Sequence, residues 1–250
     1  MCGMIEGCSR GCGSDGQGGN DAVLLDRRPT KGEGRMPTTI PEPVETDWLK
    51  EGFDRVLAGI GLVVTAPLFG LVALAIKLDG WLWPEDRGPV FHRERRISAG
   101  RPFTLLKFRT MRVSAIQEVH RRGLTVKYLE REGRGHTRVG RYLRRWYLDE
   151  LPQLLNILRG EMSFVGPRPP APFEYERELA EGIVRKRLAR AGLVGLQQVH
   201  KGRTKSFDEE IALDYAYVAQ VRKMRPWRRL FYDGGILLRS LRVLLEGKGL

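Results

Sequence analysis

Cysteine is nearly absent from this chain. The three present, Cys2, Cys8 and Cys12, all lie in its first stretch, and none follows. Their spacing fits no zinc or iron–sulfur pattern, and no disulfide framework is indicated. The first residues also lack the order of a basic stretch followed by an apolar one, so no secretory signal is read. Aromatic residues make up 8% of the chain, and the basic stretches carry no aromatic interleaving. That argues against a nucleic-acid-binding module. His120 and His136 have no partner spacing and receive no ligand role.

Apolar periodicity is missing from residues 1–47. Nine glycines in the first 35 positions, scattered charge and Pro37, Pro41 and Pro43 predict a disordered leader. Met36 is a second candidate start. Beyond the leader, acidic charge is the scarce commodity: residues 1–55 carry net −3, and the rest of the chain carries +16. Such a surface wants an anionic partner, whether nucleic acid, an anionic membrane face or a phosphorylated substrate. A chain of 250 residues is long enough to bury a sizeable core, with one main domain as the default.

What is present begins with Val56 to Ile76, an apolar run of 21 residues without a charge. At about 1.5 Å per residue it is roughly long enough to cross a hydrocarbon core. Pro67 lies at its middle, where it removes an internal hydrogen bond and pushes Ala66 from helical geometry. The Thr65 hydroxyl is placed to satisfy a freed carbonyl. Two outcomes are compatible with this: a kinked helix that spans, or a helix–break–helix that dips in and returns to the same face. The positive-inside rule keeps the basic C-terminal body cytoplasmic in either case.

Downstream, Gly88 to His92, a turn at Ser98-Ala99-Gly100, and Phe103 to Phe108 read as a β-hairpin. Arg93, Arg95, Arg96, Lys107 and Arg109 are candidates for a phosphate-binding wall. An ordinary solvated hairpin is the better reading for Arg95 and Arg96 than for Lys107 and Arg109. Residues 114–136 are polar, a helix or a loop. Asp149 then opens a helical pattern: Glu150 and Pro152 suit its first turn, and Leu151, Leu154, Leu155 and Leu158 recur on one face. Gly160 ends it. Arg141, Arg144 and Arg145 precede the carboxylate pair, and Gly166-Pro167-Arg168-Pro169 follows on a stiff turn. Two carboxylates among arginines at a helix start suit metal-assisted chemistry on a phosphate ester. A helix cap paired with surface arginines is the competing reading. Residues 172–190 and 207–222 read as helices, and Met224 to Leu245 as a basic amphipathic segment that Gly234-Gly235 divides. The last suits a membrane interface, or a helix packed on the body.

These motifs together resemble the monotopic phosphoglycosyl transferases, bacterial sugar transferases that start surface-glycan assembly. They are FDR (53–55), GPVFHRERR (88–96), FTLLKFRTMR (103–112), TRVGRYLRRWYLDELPQLLNILRGEMSFVGPRP (137–169) and KRLARAGLVGLQQVHKGR (186–203). There are two departures: Ala66 separates Thr65 from Pro67, and the usual Gly-Leu-Trp-Gln-Val reads Gly195-Leu196-Gln197-Gln198-Val199. The small class of the family lacks an additional N-terminal transmembrane domain, and the chain is expected to belong to it.

The resemblance implies an α+β, mainly helical fold with a small β-hairpin or sheet. It implies a leader over 1–47, a re-entrant membrane helix over 48–79 broken around Thr65, Ala66 and Pro67, and a membrane-associated catalytic domain over 80–250 with interfacial amphipathic helices. It places the protein at the cytoplasmic face of the bacterial inner membrane, against its lipid. The implied partners are a UDP-sugar donor and a polyprenyl phosphate acceptor, with Mg²⁺ as cofactor and no nucleic acid. By correspondence Asp149 is the nucleophile and Glu150 the metal ligand. Arg144 and Arg168 are the first phosphate binders, followed by Lys107 and Arg109. Asp214 is a candidate by family position, with a capping role as the alternative.

Overall fold

The computed structural model describes residues 43–45, 47–121, 134–200 and 206–245. The rest of the leader and residues 122–133 lie outside them. Asp47 opens the first helix, its carboxylate accepting from the Leu49 amide at 3.0 Å. Helix α1 runs from Trp48 to Leu82, 35 residues, roughly 50 Å at helical rise. It is the one helix among the described residues long and apolar enough to cross a membrane.

The helix is continuous through Pro67, so the expected interruption at Thr65-Ala66-Pro67 is absent from the backbone. The Thr65 hydroxyl donates to the Gly61 carbonyl at 2.6 Å. It does not reach the Val63 carbonyl, the group that Pro67 deprives of an amide. The helix is packed on both sides of the proline: Leu62 rests on one apolar cluster, Leu68 and Phe69 on a second. One face of α1 is buried through Ala58, Val72 and Ile76, while Val56, Ile60, Val63, Val64, Leu71, Leu74 and Leu78 face outward.

Strands β1 (Phe91–Ser98) and β2 (Arg101–Phe108) form the antiparallel hairpin, paired from Phe91↔Phe108 to Ser98↔Arg101. Ala99 (φ 48°) and Gly100 (φ 78°) are both left-handed, as a two-residue turn matched to strand twist requires. Helix α2 follows (Val113–Arg121), then α3 (Arg138–Arg145) and α4 (Gln153–Leu158). A second, parallel pair was not evident in the sequence: β3 (Ser163–Val165) against β4 (Gly192–Val194). The two backbones meet so closely that a Cβ on Gly192 would fall 2.1 Å from the Gly166 amide nitrogen.

The helix expected over 172–190 is two, α5 (Pro172–Ala180) and α6 (Arg185–Leu188). Gly182 at φ 77° reverses the chain between them. After a short α7 (Leu196–Val199), α8 covers Phe207–Arg222 and α9 covers Pro226–Leu245. Gly234-Gly235 does not divide α9. Each glycine costs roughly 1 kcal/mol in a helix, but Asp233 and Ile236 beside them are fully buried and hold the backbone. The opposite side of α9 leaves Trp227, Phe231, Leu238 and Leu241 exposed, so this helix packs on the body and also presents an apolar face. The main core gathers α4, β3, α8 and α9 around Ile157, Met162, Val165, Val218 and Ile236. Among the described residues the architecture is mainly helical with two small sheets.

Candidate active site

Helix α3 is the first wall of the site, and buried carboxylates set its start. Asp86 accepts from the Arg138 amide (3.3 Å), Asp79 from the Val139 amide (3.2 Å), and Thr137 Oγ1 from the Gly140 amide (2.9 Å). These are N–H groups that a helix start otherwise leaves without partners. Gly140 is obligatory: a Cβ there would lie 2.0 Å from the Thr110 carbonyl oxygen. At the far end α3 carries Arg144, whose Nη1 meets His136 Nε2 at 3.2 Å.

The chain then reverses at Tyr147, a non-glycine residue at φ 54°. This strained conformation is tolerated only where the surroundings enforce it. Leu148–Glu150 follows as a single 3₁₀ turn, and α4 begins only at Gln153, with Pro152 in the N-cap position. Asp149 is therefore not the N-cap of a helix, and the short α4 is not what holds its charge. Asn156 positions this unit against the hairpin. Fully buried on α4, it donates to the Thr104 carbonyl (2.7 Å) and Glu161 (2.6 Å) and accepts from the Leu106 amide (3.0 Å). A lone asparagine inside the run Leu154 to Leu158 was the sequence signal for it.

That clamp sets Lys107 of β2 beside the carboxylate pair, Nζ to Glu150 Oε1 at 3.5 Å. Two adjacent clefts result. One is lined by Asp149, Glu94 and Met111, the other by Glu150, Gln153 and Gln198, and Arg96, Lys107 and Arg168 border both. Arg168 is exposed, and its carbonyl accepts from Lys186 Nζ at 2.9 Å. A larger cavity of about 580 Å³ lies elsewhere, around Asp47, Lys50, Asp54 and Arg187, and contains neither member of the pair. The arrangement of charge, rather than volume, marks the site.

Asp149 is 8% exposed. Burial pushes its carboxyl up to about 6, with Lys107 and Arg144 opposing and Glu150 reinforcing. Desolvation outweighs the neighbouring cations here. Among the described residues no group of three or more His, Cys, Asp or Glu side chains is placed to hold a metal. One or two carboxylates are nevertheless a fitting donor set for Mg²⁺, which completes its shell with water and substrate phosphate.

Of the site residues read from the sequence, Asp149, Glu150, Lys107 and Arg168 come together at the two clefts, with Arg144 close enough to act on Asp149. Arg109 borders one cleft, but its guanidinium is committed. Nε donates to the Pro89 carbonyl (2.7 Å), Nη1 to Met111 (3.2 Å) and Nη2 to Asp86 (2.8 Å). At 2% exposure it is a strut for the turn that supports α3. Asp214 is also structural: buried on α8, it accepts from Arg185 (3.0 Å) and Lys186 (2.7 Å) and caps nothing. Arg96, read as a solvated hairpin residue, is buried at the junction of the clefts.

A membrane-length helix lying on a basic body, with a buried aspartate and a half-buried glutamate walled by cations, marks a membrane-associated protein. The chain belongs to the bacterial sugar transferase family, which it matches over residues 45–247. It is 39% identical to the UDP-glucose:undecaprenyl-phosphate glucose-1-phosphate transferase of Caulobacter vibrioides, over 81% of this chain and 72% of that one. It is 37% identical to the exopolysaccharide production protein ExoY of Rhizobium meliloti, over 80% and 87%. It is 30% identical to the UDP-N-acetylgalactosamine-undecaprenyl-phosphate N-acetylgalactosaminephosphotransferase of Aeromonas hydrophila, over 87% and 48%.

Proposed function

We propose that the protein moves a sugar-1-phosphate from a UDP-sugar to polyprenyl (undecaprenyl) phosphate and releases UMP, as the first membrane step of surface-glycan or exopolysaccharide assembly. The observation that carries this reading is Asp149: buried, protonating near 6, beside Glu150, and flanked by Lys107 and Arg144. At neutral pH it is mostly ionised yet poorly solvated, a state that favours attack.

In this reading a carboxylate oxygen of Asp149 forms a bond to the β-phosphorus. The bond from that phosphorus to the oxygen bridging to the α-phosphate breaks, and its electron pair leaves with UMP. A phosphate oxygen of the acceptor then attacks the same phosphorus, and the Asp149 carboxylate is restored. Transfer is therefore ping-pong. Lys107, Arg144 and Arg168 hold the diphosphate and offset the repulsion between two anions. Glu150 is the residue that would hold Mg²⁺, which when bound neutralises diphosphate charge.

Both ends of α1 are fastened to the same body. Near its start Lys50 pairs with Asp233 (3.2 Å) and Asp54 accepts from Ser163 (2.6 Å), and near its end Asp79 accepts from the Val139 amide. A helix spanning the bilayer would have its ends on opposite faces. This anchoring supports both ends lying on the cytoplasmic face of the inner membrane, with the exposed apolar faces of α1 and α9 in lipid; a re-entrant course then requires the continuous helix to bend at Pro67 rather than to stop there. The acceptor phosphate then meets Asp149 at headgroup depth.

The test is to incubate the protein with Mg²⁺ and a panel of UDP-sugars without acceptor. UMP release and a phosphosugar mass added at Asp149 are expected, and Asp149→Asn should lower turnover about a thousandfold or more. Mass added at another side chain, or turnover that survives this substitution, would overturn the reading.

A further inference from the structure

Arg96 stands on β1, 8% exposed, where the hairpin packs on the Pro-Arg-Pro turn. Its Nη2 pairs with Glu94 at 2.8 Å, and its Nη1 donates to the Pro169 carbonyl at 3.4 Å and lies 3.9 Å from the Glu174 carboxylate. Its Nε is buried and has no hydrogen-bond partner. A buried guanidinium N–H without an acceptor has lost its water and gained nothing in return. The contrast with Arg109 is direct: that side chain is more deeply buried, and its Nε, Nη1 and Nη2 each meet a carbonyl.

The free Nε belongs to a residue that borders both clefts, the one containing Asp149 and the one containing Glu150. Among the described residues only Lys107 and Arg168 share that position. A ligand reaching both carboxylates must cross this cationic divide. A diphosphate has two linked phosphate groups and acceptor oxygens on each, which suits a charge-assisted bond to an unpaired guanidinium N–H.

We propose that Arg96 is a donor-binding residue whose guanidinium shifts on ligand entry to give its unpaired Nε to a phosphate oxygen of a nucleoside diphosphate where the two clefts meet. Through Nη1 and the Pro169 carbonyl it also fixes the turn from which Arg168 reaches the same anion. This rests on the phosphoglycosyl transferase reading and adds to it a residue that binds the donor and not the acceptor. Lysine retains the charge but has neither the Nε nor the planar fork, so it cannot make both contacts.

The experiment uses full-length protein in lipid nanodiscs. UDP affinity is measured with Mg²⁺ in the turnover-deficient Asp149→Asn background, and KM for UDP-sugar and for polyprenyl phosphate in the otherwise unaltered enzyme. Arg96→Lys and Arg96→Gln are each expected to weaken UDP binding and raise the donor KM about tenfold or more. The acceptor KM should stay where it is, and melting should remain cooperative, with a lower midpoint in Arg96→Gln, which leaves Glu94 without its cation, than in Arg96→Lys. Parental UDP affinity in both variants would overturn the proposal. Equal losses for donor and acceptor, or loss of cooperative melting in both variants, would make Arg96 structural and overturn it too. If the unaltered enzyme releases no UMP from any UDP-sugar, the transferase reading itself has failed. Normal turnover with an unmoved donor KM in Arg96→Lys removes only the role given to Arg96.

Discussion

Two clusters in this molecule are built from the same materials, buried carboxylates and cations, and are finished differently. In one, Arg185 gives Nε and Nη2 to Glu178 (3.0 and 2.7 Å) and Nη1 to Asp214 (3.0 Å), and Lys186 reaches Asp214 (2.7 Å) and the Arg168 carbonyl (2.9 Å). Every charge there is answered from within the protein. In the other, no side chain of another described residue hydrogen-bonds Asp149. Lys107 stands 3.5 Å from Glu150, the Nε of Arg96 is free, and Arg168 is exposed. The closed cluster stiffens the fold. The open one leaves a buried carboxyl raised to about 6 and cations with spare donors, the kind of perturbation that gathers at functional sites.

The sharpest way to break this contrast is to damage the closed cluster. Asp214→Asn leaves Lys186 and one arm of Arg185 without their carboxylate, and should destabilise the protein by about 3–5 kcal/mol in denaturant titrations. Turnover per folded molecule should remain within a few-fold. A folded Asp214→Asn protein without turnover would move Asp214 into the active site.

The open cluster should respond in the opposite sense. The Asp149 carboxyl protonates more readily folded, near 6, than unfolded, near 3.9. Its folding penalty is therefore absent below about pH 4, grows up to pH 6 and is full above it. In metal-free protein Asp149→Asn should accordingly stabilise by roughly 2–3 kcal/mol at pH 7–8, with the gain vanishing near pH 4. Melting curves across that range check it, and a destabilised variant at pH 7 would mean that the charge is compensated after all. The smallest effect is expected for Glu150→Gln. Its apparent Mg²⁺ requirement for UMP release should rise roughly tenfold, with the melting temperature little changed. An unshifted Mg²⁺ titration would place the metal elsewhere.

Local patterns made much of the scaffold legible. Alternation around Ser98-Ala99-Gly100 located the hairpin and its turn, and periodicity located α8. The long apolar run located α1, although the helix extends past both of its ends. Where a single residue type was made to decide an element, tertiary packing won. Pro67 did not interrupt α1, which is packed on either side of it, and Gly234-Gly235 did not divide α9 because its neighbours are buried. The dyad turn was displaced for the same reason. An Asp-Glu-x-Pro start reads as a helix opening, but Tyr147 folds back and α4 starts later to let Asn156 grip β2.

The sequence alone determined the inventory: a membrane-length apolar helix, a hairpin and an adjacent carboxylate pair among arginines, because each is written in spacings of a few residues. Only the tertiary structure decided which arginines have donors to spare. Arg109 sits one residue past the end of β2 and Arg96 on β1. One meets carbonyls from Asp86, Pro89 and Met111, and the other keeps its Nε free between two clefts. Hydrogen-bond satisfaction is settled by groups that arrive from other parts of the chain, and no local period encodes their arrival.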